Sequence, residues 1–169
     1  MIIVVTGPES CGKTTLSRLL AAALERPWVE EHARGYLERL PRPYRASDLL
    51  HLAEWHLDAE AKLDAPVCDT DLQVLRIWWS ERYGPIPAAL QEAYANQLTQ
   101  PRYYLLCAPD IAWQPDPLRE HPGERERLYE LYLNDLQRCG VGFYEVHGQG
   151  DHRLRNALRG LAEVGIIPA

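Results

Sequence analysis

An α/β fold with a parallel sheet covered by helices on both faces is what this sequence predicts, and three observations predict it. The chain opens on Ile2-Ile3-Val4-Val5, a continuous β-branched run that suits a strand buried on both sides. A glycine-bearing loop and a leucine pattern at helical spacing follow at once. Short apolar runs then alternate with helix-period stretches to the end of the chain, the order expected of parallel strands joined by helical crossovers. At 169 residues, the chain is long enough for one domain with a full core and short for two. Residues 1–169 are therefore expected to form a single three-layer domain, with no internal repeat or linker.

The elements follow in order. Leu16, Leu19, Leu20, Ala23 and Leu24 share a helix face after Lys13, and Pro27 stops the pattern. Trp28-Val29-Glu30 predicts a short second strand, and 33–40 a helical stretch broken by Pro41 and Pro43. Ser47 and Asp48 are expected to cap a long helix with Leu49, Leu52, Ala53, His56 and Leu63 on one face. Pro66-Val67-Cys68 predicts a strand ending at Asp69-Thr70-Asp71, since proline is tolerated at a strand's start. Helices are expected at 72–79 and 88–98, a buried strand at 103–108, and an ordered polar loop at 109–123. A helix bearing Leu128, Leu131, Tyr132 and Leu136, a strand at 142–146 and a helix bearing Leu154, Leu158 and Leu161 complete the chain.

The bulk chemistry excludes several functions. A net charge of -6 argues against a general nucleic-acid binder, which needs a basic face to release counterions. Cys11, Cys68, Cys107 and Cys139 form no C-x-x-C pair, so neither metal spacing nor a secreted disulfide framework is indicated. Cys68 and Cys107 lie in apolar runs and are expected in the core. No apolar run reaches the ~18 residues a membrane span needs, and the expected location is the cytoplasm.

Gly7-Pro8-Glu9-Ser10-Cys11-Gly12-Lys13-Thr14, continuing into Thr15, matches the P-loop pattern G-x-x-x-x-G-K-S/T in full. Gly7 and Gly12 permit the turns that wrap backbone around a β-phosphate. Successive N–H groups and the start of the next helix make an anion site. Lys13 can reach β- and γ-phosphate oxygens, and the Thr14 hydroxyl can ligate magnesium. The motif sits where its chemistry requires, after a buried strand and opening a helix. ATP with Mg2+ is the expected ligand, on a P-loop NTPase fold of nucleoside- or nucleotide-kinase type.

Such a loop needs a second acid for magnesium, commonly at a neighbouring strand's end. Asp69 is the leading candidate; Asp71 faces either the acceptor or the next helix as its cap. In Glu30-Glu31-His32-x-Arg34, a carboxylate can take an acceptor hydroxyl's proton or anchor ribose hydroxyls. Arg119, Arg125 and Arg127 in a lid at about 110–127 are candidates to neutralise the transferring phosphoryl group. The alternating Glu124-Arg125-Glu126-Arg127 equally suits a surface salt-bridge helix. Trp113 is placed to lie against adenine or to anchor the loop. There is no N-K-x-D motif of a GTPase and no L-S-G-G-Q signature of a transporter ATPase, which leaves a small-molecule kinase.

The phosphate loop, Glu31-His32-Ala33-Arg34, Asp69-Thr70-Asp71 and Asp110-Ile111-Ala112-Trp113-x-x-Asp116-x-x-Arg119 occur in an order that resembles the ribosylnicotinamide kinase domain of NadR-type NAD-biosynthesis proteins. The likeness runs from Ile2 to about Leu161. It implies transfer of the ATP γ-phosphoryl group to the 5′-hydroxyl of nicotinamide riboside, giving nicotinamide mononucleotide. On this resemblance Asp69 organises magnesium, Glu31 and Asp71 face the riboside, and Arg119 with Arg125 or Arg127 clamps phosphate. Arg34 and Tyr36 join the substrate residues. The alternatives are another nucleoside or metabolite kinase, or a nucleotide-dependent regulatory module. Cys11 and His32 stand where the family more often has serine and tyrosine, and no adenylyltransferase or DNA-binding domain is expected. The pyridinium charge of such a riboside would favour carboxylates and an aromatic face, for which Trp28, Tyr36, Trp55, Trp78 and Trp79 are candidates.

Overall fold

The computed structural model describes residues 1–114 and 123–168. Its strands are β1 (Ile2–Thr6), β2 (Trp28–Val29), β3 (Val67–Asp69), β4 (Arg102–Cys107) and β5 (Phe143–Val146). Between and after them come α1 (Lys13–Ala23), α2 (His32–Glu38), α3 (Ala46–Ala61), α4 (Leu72–Tyr83), α5 (Ala88–Gln97), α6 (Arg125–Cys139) and α7 (Asp151–Glu163). All pairings are parallel, in the order β2-β3-β1-β4-β5. The P-loop NTPase-like kinase fold expected from the sequence is the fold observed.

Alternation along the strands builds the layers. Ile3, Val5, Leu105 and Cys107 point to one face, against Leu16 and Leu20 of α1 and Ala157 and Leu161 of α7. Val4, Cys68, Tyr104 and Leu106 point to the other, against Val74 and Ile77 of α4 and Tyr132 and Leu136 of α6. Each such fully buried aliphatic side chain contributes roughly 1.5–3 kcal/mol relative to exposure. A third cluster joins α2, α3, α4 and α5 through Leu37, Leu49, Leu52, Leu75 and Leu90. No described helix is long and apolar enough to cross a membrane.

Two expectations need correction. The long helix starts at Ala46, two residues before a Ser47 cap would allow, and is capped by Arg45, not by Ser47 or Asp48. Asp48 lies in its first turn, where its carboxylate accepts the Arg45 N–H at 2.6 Å and an Arg42 N–H at 2.7 Å. Leu63 falls beyond the end of α3 and is exposed, because the chain leaves the helix at Lys62 to reach β3. Cys68 and Cys107 are in the core as expected, on opposite faces of the sheet, and Cys11 is buried beside Cys107.

Candidate active site

β1 is the central strand, so the loop leaving its carboxyl end emerges between β3 and β4, where open α/β sheets hold ligands. Gly7 has φ 133° and Gly12 φ 78°. A Cβ on Gly7 would lie 2.8 Å from the Cys107 carbonyl oxygen, so only glycine lets the loop pass that close to β4. Ser10 also takes a positive φ, of 53°, a conformation non-glycine residues adopt at a cost. The Pro8 carbonyl accepts from Lys13 Nζ at 2.7 Å and from the Cys11 thiol at 2.9 Å. Gly12, in the left-handed region, opens α1 without a side-chain cap.

The loop forms one wall of a cleft of about 220 Å³. Glu9 to Thr15 line that wall, Glu31, Arg34 and Leu37 come from the segment after β2, Trp78 from α4, and Ile111 and Gln114 from the segment after β4. Glu31 and Arg34 therefore face the phosphate loop across the cleft. Lys13 is partly buried, which alone would lower its pKa, but the charges of Cys11, Glu31 and Asp69 more than offset this and hold the ammonium form.

Asp69 ends β3 with no exposed surface, behind the open wall and beside Thr14 and Lys13. Neither of its carboxylate oxygens has a hydrogen-bond partner among the described residues. Burial, with Glu31 adding repulsion, pushes its carboxyl up to about 7, although the nearby Thr14 hydroxyl and Lys13 pull the other way. A buried carboxylate with two orphaned oxygens next to a threonine hydroxyl fits a hard divalent cation, which takes oxygen ligands.

Thr70, at φ 72°, turns the chain so that Asp71 points elsewhere. The Asp71 carboxylate caps α4 by accepting the Gln73 N–H at 2.9 Å, and it accepts the Tyr104 hydroxyl at 2.6 Å and an Arg102 N–H at 3.4 Å. It lines a cavity of about 20 Å³ shared with Glu31, His32, Trp55 and His56. Of the two roles considered for Asp71, helix cap is the one the geometry displays. Arg102 also grips Glu60 through both of its carboxylate oxygens, at 2.9 and 3.3 Å. His56, Glu60 and Cys68 bring three potential metal-ligand atoms within 4.8 Å. Arg102 already occupies the Glu60 oxygens, and the cluster is an internal ion-pair network tying α3, β3 and β4 together.

The remaining predicted residues divide. The Tyr36 hydroxyl donates to Asp48 at 2.8 Å, and Tyr36 lines neither cavity. His32 stacks on Trp55 at 4.1 Å. Trp28 donates to Ser17 and Trp79 to the Pro85 carbonyl, so of the five candidate aromatics Trp78 alone lines the larger cleft. Arg125 donates to the Ser10 carbonyl at 3.2 Å and the Ile111 carbonyl at 2.8 Å, and its guanidinium carbon stands 5.8 Å from the Trp113 ring centre. Arg127 is instead half-exposed and paired with Glu81 and Glu124, the salt-bridge arrangement that the alternating charges also suggested. Arg119 and Asp116, with residues 115–122 of the expected lid, lie outside the described residues. Sequence reasoning missed Arg153, whose guanidinium holds the Cys11 carbonyl from behind at 2.8 Å.

A family model described as an AAA domain matches residues 2–155, nearly the whole chain. The chain belongs to that family. Among solved structures, this AAA domain is similar to a NadR protein in complex with NR, with TM-score 0.79, 23% identity and 98% of the chain covered against 52% of the other. It is similar also to a NadR protein in complex with NAD and AMP-PNP, with TM-score 0.73, 21% identity and coverage of 99% and 50%. A thymidylate kinase from Ehrlichia chaffeensis matches with TM-score 0.66, 14% identity and coverage of 97% and 98%. The AAA domain thus spans about half the length of the NadR chains it matches. No curated protein sequence matches it.

Proposed function

We propose that this domain transfers the γ-phosphoryl group of ATP to the ribose 5′-hydroxyl of nicotinamide riboside, forming nicotinamide mononucleotide and ADP. The observation that carries the reading is the cleft: a phosphate loop on one wall faces a carboxylate, an arginine and a tryptophan on the other. The fold likeness to NadR chains seen with NR and with AMP-PNP supports both ligands, and only the kinase portion of such proteins is proposed.

The residues divide the work. Backbone N–H groups of the loop, Pro8 excepted, surround the β-phosphate and hold the reacting phosphorus in line, which converts binding into orientation. Lys13 balances negative charge as it moves toward the leaving oxygen. Glu31, across the cleft, receives the proton lost from the 5′-hydroxyl, and Arg34 beside it holds ribose or phosphate oxygens. The Trp78 face lies against the cationic pyridinium ring. Thr14 and Asp69 would hold magnesium, which when bound supplies charge neutralisation at the β- and γ-oxygens. Arg125, at the lid base, keeps the segment after β4 on the loop.

Incubation with MgATP and nicotinamide riboside, followed by chromatography, is expected to yield the mononucleotide and ADP in equal amounts. One observation favours a second reading, a kinase of another nucleoside or nucleotide: the match to thymidylate kinase runs nearly end to end in both chains. Turnover of a deoxynucleoside or nucleoside monophosphate with none of the riboside would move the assignment there. ATP binding without any phosphorylated small product would make the domain a nucleotide-dependent regulatory module.

A further inference from the structure

The peptide planes of the phosphate loop are held from outside the cleft. Arg153, in α7, is 4% exposed and is not itself among the residues that line the cleft. Its Nε donates to the Gly148 carbonyl at 2.7 Å, one terminal nitrogen to the Cys11 carbonyl at 2.8 Å, and the other to the Ala108 carbonyl at 3.1 Å and to Asp110. One guanidinium thus gathers the phosphate loop, the end of β4 and the loop between β5 and α7. Asp110 repeats the link, since its second oxygen accepts the Gly148 N–H at 2.8 Å and its carbonyl accepts Gln149 Nε2 at 3.2 Å.

The consequence follows from peptide geometry. In a planar trans peptide the C=O and the next N–H point in opposite directions. Arg153 draws the Cys11 carbonyl toward α7, so the Gly12 N–H turns the other way, into the cleft that Gly12 lines. Arg125 does the same one peptide earlier, drawing the Ser10 carbonyl outward and turning the Cys11 N–H inward. A loop that binds phosphate through N–H groups must bury their carbonyls elsewhere, and an unpaired buried carbonyl would favour flipping the peptide. We infer that Arg153 is a positioning residue for polyphosphate binding: it locks the Cys11–Gly12 peptide in the anion-binding orientation and couples that peptide to the segment at Asp110 and the loop at Gly148. Lysine cannot substitute, because its single ammonium cannot span three carbonyls that a planar fork reaches together.

This rests on the reading of the cleft as a nucleotide polyphosphate site, and binding rather than turnover tests it. ADP places a β-phosphate in the loop, whereas AMP does not. Arg153→Lys and Arg153→Ala are expected to lose about 10- to 100-fold in ADP affinity, the worth of one misdirected hydrogen bond to a charged group. AMP affinity should be unchanged. Millimolar guanidinium should restore part of the ADP affinity of Arg153→Ala, an effect that a general loosening of the fold would not show. Asp110→Asn should shift ADP affinity the same way by a smaller factor, and with Arg153→Lys it carries the test if the alanine variant does not fold. The inference is overturned if folded Arg153→Lys binds ADP as well as the parent, or if ADP and AMP affinities fall together without rescue. A parent that binds no ADP at all removes the reading of the cleft and this inference with it.

Discussion

Asp69→Asn is expected to stabilise the ligand-free protein while destroying its response to magnesium and ATP. The Asp69 carboxyl is pushed from an ordinary 3.8 to about 7, chiefly by burial. At about 1.4 kcal/mol per pH unit, that displacement sets a ceiling of roughly 4 kcal/mol on the cost of ionising Asp69 in the folded chain. Water entering the cleft reduces the cost, so it is a ceiling. The sign follows from linkage. Below about pH 4 the group is neutral in both folded and unfolded chains and costs nothing; the penalty grows between about pH 4 and 7 and is complete above it. The parent should therefore lose stability over that interval, and Asp69→Asn should not. In a chain of this size each kcal/mol moves Tm by about 2–4 °C, so the variant should melt several degrees higher at about pH 8. Thermal melts across this range, with and without MgATP, make the measurement. MgATP should raise the Tm of the parent and leave the variant unmoved. Superimposable pH profiles for the two proteins, or an undiminished MgATP shift in the variant, would refute the assignment of Asp69 to the cation.

Other perturbations should act in their own ways. Lys13→Ala removes a charged donor to phosphate and should weaken ATP binding about 10- to 100-fold by calorimetry, with Tm little changed. Gly7→Ala must place a Cβ 2.8 Å from the Cys107 carbonyl at φ 133°, so it should abolish nucleotide binding and lower Tm together. Glu60 is held down at about 2; burial would raise it, but the neighbouring His56 and the hydrogen bonds and charge of Arg102 prevail. Its stabilisation is therefore present above about pH 4.5 and lost as pH falls toward 2, and Glu60→Gln should cost about 3 kcal/mol in denaturant unfolding at neutral pH. Trp78→Leu should raise the acceptor KM about 3- to 30-fold without changing ATP affinity, if its face meets the pyridinium ring.

The fold was readable because its signals are local. The β-branched run, the glycine loop and the leucine spacing lie within the first 24 residues, and each strand announces itself as a short apolar block. Much of the candidate site's placement was readable for the same reason, since the phosphate loop is contiguous and Asp69 closes a strand. Direction was what the letters could not supply. Asp69 and Asp71 are near neighbours in the chain, but a left-handed Thr70 sends them to different surroundings. Ser47 and Asp48 have the chemistry of caps, yet the helix starts before them. Arg153 was invisible because its partners are mostly backbone carbonyls, one of them 142 residues away, and a carbonyl leaves no mark on residue identity.

Thr70 bears on how variants of this protein should be interpreted. Substitutions at Asp69 and at Asp71 would both silence a growth-based screen, and a map of intolerance along the chain would merge them into one hot segment. Soluble yield separates the causes: a loss at position 69 leaves abundant, folded, inert protein, whereas a loss at position 71 unseats α4 and depletes the protein itself.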